Sequence, residues 1–192
     1  MSDICRVALD AMGGDNAPGE VVKGAVEATK KENDIQVVLV GKEAAIQAEL
    51  DKYDYKKEQI EVVDAAEVIE TGEPPVMAVR RKKESSLVKA MYLVKEGNAD
   101  AFVSAGSSGA ILVGGQTIVG RIKGVERPPM APLIPTATGV SLLVDSGGNV
   151  DARPSFLVQW AKMGSIYMEN ILGIKNPRVA IVNIGLEEEK GN

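Results

Sequence analysis

The sequence predicts a three-layer α/β sandwich around a mostly parallel, mixed sheet, and three observations predict it. Apolar runs of strand length recur along the chain. Most are followed by a loop carrying glycine, and helical spacing or a helix-starting proline then takes over. One pair of short apolar runs, separated only by a turn, reads instead as a hairpin and makes the sheet mixed.

The elements follow in order. Arg6–Asp10 reads as a buried strand, Ala11–Asn16 as a glycine loop, and Pro18 suits the first turn of a helix reaching Lys31, with Asp15 or Asn16 as its cap. Ile35–Val40 is a second strand, Glu43–Lys52 a second helix and Ile60–Asp64 a third strand. Pro74 and Pro75 interrupt the pattern before a short helix bearing Val76 and Val79. Ser85 and Ser86 are placed to cap a helix over Leu87–Glu96, which Gly97 closes. Ala101–Ser104 is a fourth strand, Ala105–Gly109 a loop, and Ala110–Val119 a helix. Four prolines between Gly120 and Gly139 forbid a long helix there. Leu133–Thr136 and Val140–Asp145 form the hairpin, Pro154 opens a helix to Leu172, and Val179–Ile184 is a last buried strand. A parallel fold would follow that strand with a helix, so the sequence reads as one α/β domain over residues 1–192 and as the N-terminal part of a longer chain.

Composition removes several classes of function. Lys and Arg number 22 against 27 Asp and Glu, so the net charge of −5 leaves no basic footprint for nucleic acid. Aromatic residues make up 4%, too few for base-stacking surfaces. The chain contains no histidine, which excludes a Ser-His or Cys-His pair and histidine metal sites within it. Cys5, the single cysteine, cannot form an internal disulfide and reads as a small buried side chain beside a strand. Arg6 and Asp10 interrupt the N-terminal apolar run, so it is not a signal peptide. Residues 101–120 carry no charge, but five glycines and three serines make them a poor lipid-facing helix.

Three loops leave the C-terminal ends of strands, where open α/β sheets bind ligands: Asp10–Asn16, Ser104–Gly109 and Asn183–Asn192. The second has the best chemistry for an anion. Gly106 and Gly109 free the backbone, Ser107 and Ser108 add hydroxyls, and a helix follows. A tight strand-to-helix turn needs similar glycines, so this loop by itself leaves both readings open. No segment matches Walker A or the dinucleotide Gly-x-Gly-x-x-Gly pattern. Arg80-Arg-Lys-Lys83 is a basic run in an acidic chain, either a solvated helix end or a dock for an acidic partner or a phosphate. The helix from Pro154 carries two apolar stripes, Phe156, Trp160, Met163, Tyr167, Ile171 and Leu157, Ala161, Gly164, Met168, Leu172, which read as core or as a dimer interface.

Taken in order, these motifs resemble the bacterial acyl-carrier-protein:phosphate acyltransferases of phospholipid synthesis. The resemblance rests on Val7–Pro18, Ala78–Leu87, Ala99–Gly106, Gly120–Pro128, Asn149–Pro154, Met163–Tyr167, Asn176–Arg178 and Glu187–Asn192. It covers essentially the whole chain. It departs at Ser107-Ser108, where the family usually has Asn-Thr, and near Gly148-Asn149, where an Ala-Asn pair is usual. A serine at position 107 loses an amide yet keeps a hydroxyl able to bond phosphate.

The resemblance implies a fold similar to the phosphotransacetylase and isocitrate dehydrogenase group, usually a homodimer. It implies cytoplasmic enzymes, soluble or peripheral at the inner face of the membrane, that need no organic cofactor. Phosphate attacks an acyl thioester of acyl carrier protein, giving acyl phosphate, so neither histidine nor a reactive cysteine is required. On that reading Asp10, Gly13, Gly14, Asp15, Ser104, Gly106, Ser107, Ser108, Gly109, Asn183 and Gly185 form the phosphate site. Arg80, Arg81, Lys82 and Lys83 contact the carrier protein, and Lys190 with Asn192 is the candidate catalytic pair. A solvated Lys190 paired with Glu187, Glu188 or Glu189 is the other reading of that lysine. Two other functions stay open: a phosphotransacetylase-like enzyme using acyl-coenzyme A, and a non-catalytic anion-binding module.

Overall fold

The computed structural model describes residues 4–149 and 151–182. The described residues gather into two compact units that divide between Lys123 and Gly124. Each unit is described by itself.

The first unit is an α/β layer structure. Its strands are β1 (Cys5–Asp10), β2 (Ile35–Gly41), β3 (Ile60–Asp64) and β4 (Ala101–Val103). They lie in the order β3-β2-β1-β4 and all three pairings are parallel. Helix α1 (Gly19–Lys31) connects β1 to β2, and α2 (Glu43–Leu50) connects β2 to β3. Between β3 and β4 come α3 (Pro75–Arg81) and α4 (Ser86–Lys95). After β4 the chain forms α5 (Ser108–Gly114), which loosens into a wider π-type turn over Gly115–Val119.

Alternation in β2 explains the layers. Val37 and Leu39 face a core with Val22, Ala25 and Val26 of α1 and Ile46 and Leu50 of α2. Val38 and Val40 face the opposite side with Ala8, Ala65, Ala90 and Ala99. A strand covered on both faces must be apolar at every position, which is why Val37–Val40 reads as a continuous run. A third cluster joins α3, α4, α5 and the π-type turn after it through Val79, Leu87, Met91, Ala110 and Ile118.

The second unit holds a hairpin, β5 (Leu133–Thr136) with β6 (Gly139–Leu142), and helix α6 (Pro154–Asn170). Trp160 anchors α6: it is buried, and its indole Nε1 donates to the Arg127 carbonyl at 2.7 Å. Gln159 clamps the same segment, accepting from Glu126 N at 2.9 Å and donating to Gly124 O at 3.1 Å. Asp145 accepts from Met130 N at 2.5 Å and from Asn149 N at 2.6 Å, and Asn149 Oδ1 accepts from Arg127 Nε at 2.7 Å.

Several expectations are corrected. The hairpin forms but pairs only with itself among the described residues, so the four-stranded sheet is wholly parallel rather than mixed. Neither Asp15 nor Asn16 caps α1, whose boundary residue is Pro18 with no side-chain cap. Cys5 is exposed, because it opens β1 at the rim of the sheet, ahead of the covered centre. Residues 179–182 form no strand, and Val179, Ile181 and Val182 are exposed. The rest of that expected strand lies outside the described residues. The helix expected over 110–119 starts two residues earlier, because Ser107 caps it, and gives way to the wider turn after Gly114.

Candidate functional site

Strand order decides where a ligand site belongs. From β1 the chain steps outward to β2 and β3, then returns to the other side of β1 for β4. The connections therefore diverge between β1 and β4, the switch point at which open α/β sheets leave a crevice beyond their carboxyl ends. The two loops leaving those strands are Asp10–Asn16 and Ser104–Gly109.

Here the structure brings five of the expected residues together. Asp10 is 3% exposed. Its Oδ1 accepts from Met12 N at 3.2 Å and its Oδ2 from the Ser104 hydroxyl at 2.8 Å. Ser104 Oγ in turn accepts from Gly106 N at 3.0 Å. Burying a carboxylate without such donors would cost several kcal/mol, so this chain of bonds makes the location tolerable and ties one loop to the other. Gly13 lies against the tie. A Cβ there would stand 2.7 Å from Asp10 Oδ2 and 2.8 Å from both Gly106 N and Ser104 Oγ. Gly14 adopts φ +106°, and a Cβ on it would stand 3.2 Å from that of Ala105. Both glycines are thus required by geometry, one by close approach and one by backbone conformation.

The donor inventory shifts accordingly. Gly106 N is occupied by Ser104 and Gly13 N by the Asp10 carbonyl at 3.4 Å, so neither amide is free for a ligand. Ser107 is buried, and its Oγ accepts from Ala110 N at 3.3 Å as the cap of α5. Within the described residues the N–H groups of Ala105, Ser107, Ser108 and Gly109 are left without an acceptor. These four, with the exposed Ser108 hydroxyl, are what the loop offers an anion.

Asp15 is exposed and makes no hydrogen bond among the described residues, so of the two aspartates it is Asp10 that orders the loops. Asn183, Gly185, Lys190 and Asn192 lie outside the described residues. The basic run is divided by the fold. Arg80 and Arg81 are exposed, but Lys82 Nζ bonds Glu73 at 2.5 Å and the Val68 carbonyl at 2.7 Å, and Lys83 Nζ reaches the Val79 carbonyl at 3.3 Å. The hydrogen bond from Lys82, helped by one from Glu70 N, holds the Glu73 carboxyl below the usual carboxylate range. Among the described residues no group of three or more cysteines, aspartates or glutamates gathers to hold a metal.

One structural element escaped the sequence reading. Pro75, at the start of α3, packs on Gly109, where a Cβ would stand 2.7 Å from Pro75 Cγ. The Pro74-Pro75 pair signals a helix start, but nothing local signals which loop that start rests on.

Comparison with known proteins follows the same lines. The chain is 56% identical over 186 residues to a phosphate acyltransferase of Clostridium kluyveri, covering 97% of this chain and 55% of that protein. It is 56% identical over 187 residues to a phosphate acyltransferase of Clostridium beijerinckii, with 97% and 56% covered. The chain thus spans about half the length of the curated relatives it matches. Among solved structures, a phosphotransacetylase from Streptococcus pyogenes superposes with a TM-score of 0.61 at 18% identity, over 88% of this chain and 55% of that one. That likeness bears out the α/β fold class. Residues 5–192 match the family described as fatty acid synthesis protein, and the chain belongs to that family.

Proposed function

We propose that the protein transfers a fatty acyl group from the thioester of an acyl carrier protein to inorganic phosphate. The observation that carries this reading is the tie from Asp10 through Ser104 to Gly106, which holds the two switch-point loops together while the amides of Ala105 and Ser107–Gly109 keep no internal acceptor. Relatives named phosphate acyltransferase support the reaction class.

The chemistry asks little of the protein beyond placement. A phosphate oxygen attacks the thioester carbonyl, a tetrahedral oxyanion forms, the C–S bond breaks, and the carrier thiol leaves with the proton phosphate gives up. Donors fixed before the reaction stabilise such an oxyanion without reorganising, and holding phosphate against the thioester removes the entropy of encounter. The free amides and the Ser108 hydroxyl serve phosphate in this reading. Lys190, with Asn192 as the second candidate catalytic residue, supplies the positive charge that offsets the tetrahedral intermediate in this reading. Lys190→Met should lower kcat by about 10²–10³-fold with an unchanged melting temperature, by analogy with loss of an oxyanion donor. A near-wild-type kcat would remove Lys190 from the mechanism.

The test of the function is thioester consumption with and without phosphate, using acyl carrier protein and coenzyme A thioesters in parallel. Phosphate-dependent turnover of the carrier thioester is the expected result. Loss of thioester that ignores phosphate would make the protein a thioesterase, and preference for the coenzyme A substrate would make it phosphotransacetylase-like. Phosphate binding in calorimetry with no turnover of either would leave an anion-binding module.

A homodimer belongs to the same proposal. Helix α6 buries Trp160 and Met168 but leaves Val158, Ile166 and Tyr167 exposed, with Ile171 just beyond it, which suits a face covered by a second copy. A monomeric sedimentation profile would reject it. No helix among the described residues is long and apolar enough to cross a membrane, and attachment at the inner face would be peripheral.

A further inference from the structure

Helix α3 has two unlike sides. Ala78 and Val79 are buried, Val79 among Leu87, Val88 and Met91. The residues left outside are Val76, 62% exposed, Met77, 39% exposed, and the two arginines Arg80 and Arg81. Val76 and Arg80 are four residues apart, as are Met77 and Arg81, so each apolar side chain has a guanidinium one turn further on. In a chain with more acids than bases, Arg80 and Arg81 meet no carboxylate among the described residues, whereas Lys82 is paired with Glu73. The same helix begins at Pro75, seated on Gly109 of the anion loop.

We infer that the outer side of α3 docks an acidic, partly apolar helical surface of the acyl carrier protein, with Arg80 and Arg81 taking its carboxylates and Val76 and Met77 covering its apolar shoulder. The guanidinium fork suits bidentate carboxylate pairing. Charge steers the encounter, while desolvated apolar contact holds the complex. Because α3 starts against Gly109, a carrier docked there brings its thioester to the loop whose amides are unpaired. An anionic membrane would also attract arginine. However, a helix of seven residues with two outward apolar side chains falls far short of a face that sinks into lipid, and the chain carries −5.

This inference rests on the carrier-protein reading above, and the experiment separates the two. Equilibrium binding of purified acyl carrier protein to the full chain is measured at low and high salt, alongside phosphate-dependent turnover of carrier and coenzyme A thioesters. Arg80→Gln with Arg81→Gln should weaken binding about ten-fold at low salt and flatten its salt dependence. Val76→Ser with Met77→Ser should weaken it about ten-fold at both salts. Lys30→Gln with Lys31→Gln removes the same charge at the end of α1 and should change nothing. All variants should keep the parental melting temperature and their turnover of any coenzyme A thioester the protein accepts. Carrier binding that is the same in every variant overturns the docking site, even if phosphate-dependent turnover stands. Tight binding to anionic phospholipid vesicles, lost in the same variants while carrier binding persists, overturns it in favour of a membrane. Absence of phosphate-dependent turnover with either thioester sinks the function, while variant-sensitive carrier binding would still uphold the surface.

Discussion

Asp10 and Gly13 show how little freedom the candidate site leaves a single residue. Asp10→Asn keeps the shape but replaces one acceptor oxygen with an NH₂ group. If its oxygen stays on Met12 N, the amide nitrogen meets a Ser104 hydroxyl that already accepts from Gly106, and the serine proton loses its acceptor. A mismatched buried pair costs about 1–3 kcal/mol, so phosphate affinity should fall about ten-fold or more in a calorimetric titration. Asp15→Asn, at an exposed site, should titrate like the parent. An Asp10→Asn protein that binds phosphate normally would reduce the tie to a fold contact. Gly13→Ala is harsher, since its Cβ would stand under 3 Å from three atoms, one of them backbone. Relief requires the loops to part, at a cost of about 1–3 kcal/mol typical of overpacking, readable as a lower denaturation midpoint.

Caps and ion pairs set the behaviour of whole elements. Ser107 caps α5, so Ser107→Ala should cost about 0.5–2 kcal/mol in denaturant unfolding, whereas Ser107→Asn, another good cap and the residue usual in the resembled family, should keep most of it. The Lys82–Glu73 pair fastens the segment before α3 to that helix's end. Because Glu73 has a lowered pKa when folded, its contribution is full above the ordinary carboxylate range and is lost as pH falls through the lowered value. Proteolytic nicking of residues 66–74 should therefore rise below that range. In Lys82→Met it should already be high at neutral pH, and a nicking profile that ignored pH in both proteins would contradict the assignment.

Most of these elements were legible because their signals are local: a covered strand must be apolar throughout, and serine before a helix caps it. The partners of Asp10 were not legible, since Ser104 lies 94 residues away and no nearby pattern names it. The same blindness explains the hairpin. Alternation and turn residues announce that two strands pair, but not which sheet they join.

At the scale of the first unit, the sheet carries a packed core on each of its faces. Leu39 is fully buried in the central strand β2, against α1 and α2. Leu39→Ala should lose about 2–5 kcal/mol through lost transfer energy and the cavity left behind. A loss below 1 kcal/mol in urea titration would mean that the layer collapses to fill the space. Substitutions on the outer side of α3 should leave the same titration unmoved, which keeps binding effects and folding effects apart.

The strand order also bears on how the chain is made. Of the four strands β1 is made before the others, and β2 can cover one of its edges as soon as α1 has formed. Its other edge must wait for β4, about ninety residues later in the sequence. Until then β1 offers an open row of amides and carbonyls, the template on which chains pair wrongly, and long-range closure of this kind is slow. Released chains that end before Ala101 should therefore aggregate more readily than chains extending well past Gly109, in which only the short β4 is left at that edge of the sheet, and a truncation series compared by light scattering measures the difference.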